Sequence, residues 1–206
     1  MRKLLFLICF MLSGAVSLVS AQDMRSLFMD APDEIFPLLT KNLRADLVDY
    51  VDAGMTARVT NRLDGASVLE RLDDNYLLLA TTASSTMQLK LLPVHDGAII
   101  CVVKTVKAEA SDSRIRFYDL EWNRLDANGM FTSPSIMDFF KPGADIDDVA
   151  DLCDIYLVKL TLNALDNTLV AEYTMPAYMS ADDASKVKPL LRKLVYRWNG
   201  ERFVIE

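Results

Sequence analysis

The sequence predicts an α+β protein: N-terminal helices, then a mainly antiparallel β-sheet with a short helical insertion around residues 133–152. Three observations carry this reading. Apolar residues recur at helical spacing before Gly54. Beyond it the period becomes two, and turn dipeptides such as Asp64-Gly65, Asn128-Gly129 and Asn199-Gly200 punctuate the chain. Proline and helix-start residues then return around Ser133–Asp154.

Taken in order, Asp30 and Ala31 precede Pro32, Asp33 and Glu34, which reads as a helix start. Pro is tolerated in a first turn, and acids there meet the positive end of the helix dipole. Pro37 limits or kinks this element. A second helix is predicted from Lys41 to Ala53, with Leu43, Leu47, Val48 and Val51 on one face and Asp46, Asp49 and Asp52 on a solvated one. Gly54 is placed to stop it.

Strands follow. Ala57–Arg62 and Ala66–Arg71 flank Asp64-Gly65, a dipeptide suited to a type I′ hairpin turn. Met87, Leu89 and Leu91 alternate with Gln88 and Lys90. His95-Asp96-Gly97 turns the chain into Ala98–Val106, whose apolar centre predicts burial on both faces. Ile115 and Phe117 alternate with Arg116 and Tyr118. In the insertion, Ser133-Pro134 opens a short helix through Phe140, Pro142-Gly143 breaks it, and Asp145 opens another turn. Ile155–Asn163 and Thr168–Thr174 read as strands joined around Asp166-Asn167, Ser180–Lys188 as a loop or single helical turn, and Leu191–Trp198 as pairing with Glu201–Ile205.

The 206 residues are 51% hydrophobic and 25% charged, a globular composition. Residues 1–21 read as a cleaved secretory signal: Arg2 and Lys3, an apolar run from Leu4 to Val19, and the small-residue ending Val19-Ser20-Ala21. The run is shorter than the roughly 20 residues that span a bilayer, and no later stretch approaches that length. Loss of Arg2 and Lys3 with the leader changes the formal charge from −7 to −9. Such an acidic surface repels nucleic acid, whose nonspecific affinity comes from Lys and Arg. The remainder, residues 22–206, reads as a single domain, with two lobes splitting near 130–150 as the alternative. Cleavage also leaves two cysteines, Cys101 and Cys153. In an oxidising compartment they permit one disulfide; the better reading of Cys101, within Ile99–Val103, is a small apolar filler of a buried strand.

No catalytic constellation is legible, and no cofactor is implied. A single histidine, His95, excludes His-rich zinc sites. The acidic run Asp145, Asp147, Asp148, Asp151 and Asp154 fails as an EF-hand, because Val149, Ala150 and Tyr156 occupy positions that need an oxygen ligand, Gly and Glu. There is no GxSxG or SxxK nucleophile motif. Tyr118, Trp122, Tyr173, Tyr178 and Trp198 are aromatic candidates for a binding platform, although aromatics on strands more often pack in cores. Within Met175–Met179, an apolar loop that reads as buried, Tyr178 and Met179 are the residues to watch. Tyr118, Trp122, Tyr178 and Met179 are thus the binding candidates; no residue is assigned as catalytic or as a metal ligand.

A whole-chain pattern runs through Ala31-Pro32-Asp33, Pro37-Leu38-Leu39-Thr40, Arg44–Asp49, Val59-Thr60-Asn61, Ser84-Ser85-Thr86 and Lys90-Leu91-Leu92-Pro93. It continues through Ile100–Val103, Asp112–Ile115, Phe117-Tyr118 and Glu121-Trp122, and covers most of residues 24–206. On these residues the chain resembles the exported Bacteroidales proteins grouped as domain of unknown function 3256. The resemblance is to the family as a whole. It implies export and a bacterial gut or oral setting, and it supplies no activity or site residues.

Two functional readings follow. The first is a non-enzymatic periplasmic or surface-associated module that binds a protein or envelope component, of open oligomeric state. The alternative is a metal-independent hydrolase using two carboxylates on cell-wall or dietary glycan. A binder should present a shallow surface, an enzyme a deep cleft with facing acids.

Overall fold

Asp23 opens the first helix. Its carboxylate accepts the Ser26 N–H at 2.8 Å, and α1 (Met24–Asp30) buries Met24, Leu27 and Phe28. The computed structural model describes residues 23–206; the leader read over 1–21 lies outside the described residues. The helix start expected at Asp30–Glu34 is corrected: α1 ends at Asp30 and residues 32–38 form turns and bends. Pro32 and Pro37 each remove a backbone donor, too close together for a helix to propagate between them, whereas Asp23 caps a proline-free stretch. The second helix, α2 (Lys41–Asp52), starts where Thr40 Oγ1 accepts the Leu43 N–H. At its end Gly54 adopts φ +65°, and the N–H groups of Gly54 and Met55 return to the carbonyls of Val51 and Tyr50. That paired closure needs a residue at ease in the left-handed region.

The β pattern resolves into two antiparallel sheets. The first is a meander of β1 (Arg58–Thr60), β2 (Ala66–Asp73), β3 (Tyr76–Thr82), β4 (Ser85–Val94), β5 (Gly97–Lys107) and β6 (Ser111–Tyr118) in sequence order. The second runs β10 (Phe203–Ile205), β9 (Leu194–Trp198), β8 (Thr168–Tyr173), β7 (Val158–Leu162), with a seven-residue helix, α3 (Ala181–Val187), between β8 and β9.

The six-stranded sheet is the middle layer, and its pleat divides the side chains. Leu77, Leu79, Met87, Leu89, Ile100 and Val102 pack under α1 and α2. Tyr76, Leu92, Ile99, Cys101, Val103 and Phe117 pack against the four-stranded sheet. Alternation along β5 therefore puts apolar groups into two different cores, which is why Ile99–Val103 lacks polar interruption. The same reason hides β3 from a period-two search: Leu77-Leu78-Leu79 is apolar throughout.

Local chemistry revises two turns. The Asp64-Gly65 hairpin is not a two-residue type I′ turn: Asp64, not Gly65, takes the left-handed conformation, at φ +58°. Asn61 organises a longer loop, its Oδ1 accepting the N–H groups of Leu63 and Gly65. In the insertion, the two helical stretches are single 3-10 turns, Ile136–Phe139 and Ala150–Leu152.

Candidate functional site

A sheet must end somewhere, and its last strand carries backbone groups with no neighbour. Three of the four sheet edges here are blunted. β1 is only three residues long. On β10, Phe203 N–H donates to Met130 O at 2.8 Å. The edge of β7 is satisfied by side chains of the middle sheet: Leu160 N–H donates to Ser113 Oγ (3.0 Å), and Leu162 N–H to Gln88 Oε1 (3.0 Å).

β6 is different. Phe117 O accepts Leu125 N–H at 2.9 Å, and Ser111 O accepts the Thr174 hydroxyl, so the odd-numbered residues turn their backbone groups away from β5. Between these closures, the N–H and C=O groups of Ser113 and Ile115 also point outward, and among the described residues no backbone group pairs with them. They open into a cleft of about 370 Å³, walled by Phe131, Tyr156, Val158 and Leu160. Arg114, Arg116 and Arg124 line its rim. All three are exposed, and none forms an ion pair among the described residues. In a chain of net charge −7, that is a local inversion of sign.

A second, smaller cleft of about 170 Å³ lies on the helix side of the same sheet, between the Ile35–Leu39 segment and the ends of β3, β4 and β5. Its one charged lining residue is Lys104, whose Nζ donates to Ile35 O at 3.1 Å. Burial, and then the nearby Arg116 charge, lower the pKa of that amine.

The middle sheet also buries Lys90, 1% exposed, between Asn75 Oδ1 (3.2 Å) and Ala164 O (2.9 Å). Burial lowers its pKa as well. Ala164 O lies in the β7–β8 connection and Asn75 Oδ1 in the β2–β3 turn, so the amine ties the middle sheet to the second one.

The four residues singled out from the sequence do not share a surface. Tyr118 and Trp122 are buried in the helix–sheet core, with Trp122 packed on Phe36 and its Nε1 donating to Leu27 O at 3.2 Å. Trp122 holds a positive φ of 66° inside a turn gathered by Asp119 Oδ1, which accepts the N–H groups of Glu121 and Asn123. Tyr178 is half exposed and Met179 partly buried, on the side of the other core. The burial expected for Met175–Met179 holds for Met175 and Pro176 and fails at Ala177 and Tyr178, because the segment folds into a 3-10 turn that lifts its second half outward.

Cys101 and Cys153 are both buried free thiols, so the permitted disulfide is not formed here. Burial pushes both thiols upward in pKa, away from nucleophilic use. The acidic run from Asp145 to Asp154 is exposed, and among the described residues no cluster of His, Cys, Asp or Glu is placed to hold a metal ion. Among the same residues no helix is long and apolar enough to cross a membrane.

The comparisons with known proteins come to a family without an assigned activity. A family model described as proteins of unknown function, DUF3256, matches residues 16–203. The chain belongs to this family. A solved structure of a domain of an uncharacterized protein from Porphyromonas gingivalis W83 is similar to it at 27% identity and a TM-score of 0.77, covering 87% of this chain and 97% of that one. No curated protein matches. DUF3256 membership therefore carries the fold and leaves the chemistry to the clefts. Sequence reasoning looked to the aromatics and passed over Arg114, Arg116, Arg124 and Lys104. The signal was present in Arg114-Ile115-Arg116, where alternation puts two cations on one face of a strand.

Proposed function

We propose that this protein is an exported, non-enzymatic binding module that takes an extended, acidic segment of a partner protein along the free edge of β6. The observation that carries the reading is the open window at Ser113 and Ile115, set in a cleft with an arginine rim. Strand addition obtains affinity from main-chain hydrogen bonds and specificity from flanking side chains. Here the flanking groups are cationic. A second copy pairing β6 to β6 would set arginines against arginines, so an acidic partner fits better.

Two further facts favour binding over the carboxylate hydrolase. Neither of the two clefts described has a carboxylate in its wall among the described residues. The carboxyl groups with displaced pKa, such as Asp33, Asp138 and Asp183, are all lowered by local donors, opposite to the rise a general acid needs. The cationic start and apolar run of residues 1–21 support export; the mature chain is expected in the periplasmic or extracellular fraction with Gln22 at its N-terminus, as amino-terminal sequencing would read.

The binding test uses a blocked peptide of alternating Glu and Val, a Lys–Val counterpart, and dextran sulfate as an anion without a peptide backbone. The Glu–Val peptide should bind, slow amide exchange at Ser113 and Ile115, and weaken with Arg114→Glu plus Arg116→Glu. Equal binding of the Lys–Val peptide, or protection of neither amide, would overturn the proposal. So would dextran sulfate outcompeting the peptide with no amide protected by either.

A further inference from the structure

We infer that the cleft under the Ile35–Leu39 segment is a second, independent site, which takes a small free carboxylic acid by seating its apolar body beside Phe36, Leu79 and Met87 and its carboxylate on Lys104.

The cleft is preformed. Its roof, the connection from α1 to α2, is pinned from both sides. Buried Arg44 donates to Leu39 O at 2.8 Å, to Met29 O at 3.3 Å and to Ala31 O, while Arg62 holds Pro37 O through its guanidinium and Leu38 O through its backbone N–H. Pro37 adds stiffness of its own. A roof held this way cannot settle onto the sheet, so the space beneath it persists rather than collapsing as close-packed interiors do. An apolar cavity of about 150 Å³ is enough to hold benzene, so the volume here suits an acyl or aryl group of that order and excludes a large ligand.

Polarity selects the head group. The hydroxyls at the sheet end are occupied with one another, Thr81 Oγ1 lying 2.6 Å from Ser85 Oγ, and Thr82 Oγ1 2.7 Å from it. Lys104 is the group with donors to spare: an ammonium has three, and Ile35 O takes one. Among the described residues it has no carboxylate partner. A partly buried cation against apolar walls gains most from a single negative charge; an alcohol leaves it uncompensated, and an amine is repelled. Val106, 62% exposed, stands at the mouth, so the path to solvent is open.

Octanoate, octanol and octylamine serve as probes, read by amide chemical-shift changes in the full mature chain. Octanoate is expected to shift Leu38, Leu39, Lys104 and Val106 and to bind about tenfold more tightly than octanol, the difference one charge-assisted hydrogen bond makes. Octylamine should not bind. Lys104→Met should remove the preference for the acid, and Val106→Glu, a change at an exposed position, should weaken octanoate by placing a like charge at the mouth. Octanol binding as well as octanoate, or an unchanged preference in Lys104→Met, would overturn the assignment. So would displacement of octanoate by phosphatidylglycerol vesicles, which would assign the cleft to a lipid surface. The Glu–Val peptide should not compete with octanoate, so this site and the β6 edge stand or fall separately.

Discussion

The two cores meet the same physical demand by different means. Where the helices cover the middle sheet, the backbone left unpaired is the last turn of α1 and the connection that follows it, and one long side chain answers it: Arg44, 1% exposed, reaches three carbonyls and the Asp33 carboxylate. Where the second sheet covers the other face, the unpaired backbone is the edge of β7, answered by short side chains, Ser113 and Gln88, standing on the face of the middle sheet. Gln88 also donates from Nε2 to Leu160 O at 3.4 Å and accepts from Tyr76. The aromatic packing differs as well. The helix side sets Phe28, Phe36 and Trp122 edge to face within a mainly aliphatic core, whereas the sheet–sheet side stacks Phe117 on Trp198 and Phe139 on Tyr173. A loop is irregular, so a flexible stem must find its carbonyls one by one. A strand edge is periodic, so fixed donors and acceptors at strand spacing suffice.

Each core holds one of the two tryptophans, Trp122 under the helices and Trp198 between the sheets, which makes the comparison measurable. The largest effect is expected from Arg44→Ala. It strands several buried carbonyls and leaves Asp33 with Arg62 alone, and should cost about 3–5 kcal/mol in urea unfolding. Trp122 emission should shift to the red first, seen in a Trp198→Phe background; simultaneous change of both tryptophans would show that the two cores unfold as one. Gln88→Leu should cost less, about 1–3 kcal/mol, for leaving Leu162 N–H and Leu160 O unpaired. Its signature should appear at Trp198 in a Trp122→Phe background.

The smallest effect concerns acid. Hydrogen bonds from Arg44 and then Arg62 hold the Asp33 carboxyl below its ordinary range. A lowered folded-state pKa contributes stability that is complete above the unfolded value, near 3.9, and is lost as pH falls through the folded one. Asp33→Asn should therefore flatten part of the loss of stability below about pH 4. An unaltered acid limb in unfolding curves would remove Asp33 from the account of the helix-side core.

Much of this architecture is legible from the residues. α2 stops before Gly54 as its residues predict, and Leu47 and Val48 of its predicted apolar face are buried, so local chemistry and burial agree there. The hairpin at His95-Asp96 lies where its turn residues place it, with Val94 opposite Gly97. α1 was less visible because a proline directly followed by two acids fits a helix start and a broken loop equally well, and Pro32 belongs to the latter. Of the candidate sites only the alternation Arg114-Ile115-Arg116 was written in the sequence; the open edge beside it and the cleft over Lys104 were not. Tyr118 and Trp122 have the composition of a binding surface, yet the turn at Asp119 directs Trp122 inward onto α1.

What the sequence by itself determined is the local order: helices first, hairpins after, turns at Asp, Asn and Gly, and a surface dominated by acid. These depend on φ/ψ preference, capping and periodicity, which act over a few residues. The tertiary structure alone decided that the strands divide into two sheets, that the middle one is shared by two cores, and that Ser113 and Ile115 keep their outward backbone groups unpaired while Arg114, Arg116 and Arg124 gather around them. An edge is a property of which strands fail to meet, and a cleft is a property of which loops are held apart. Both depend on contacts between residues distant in the chain, to which local preference is indifferent.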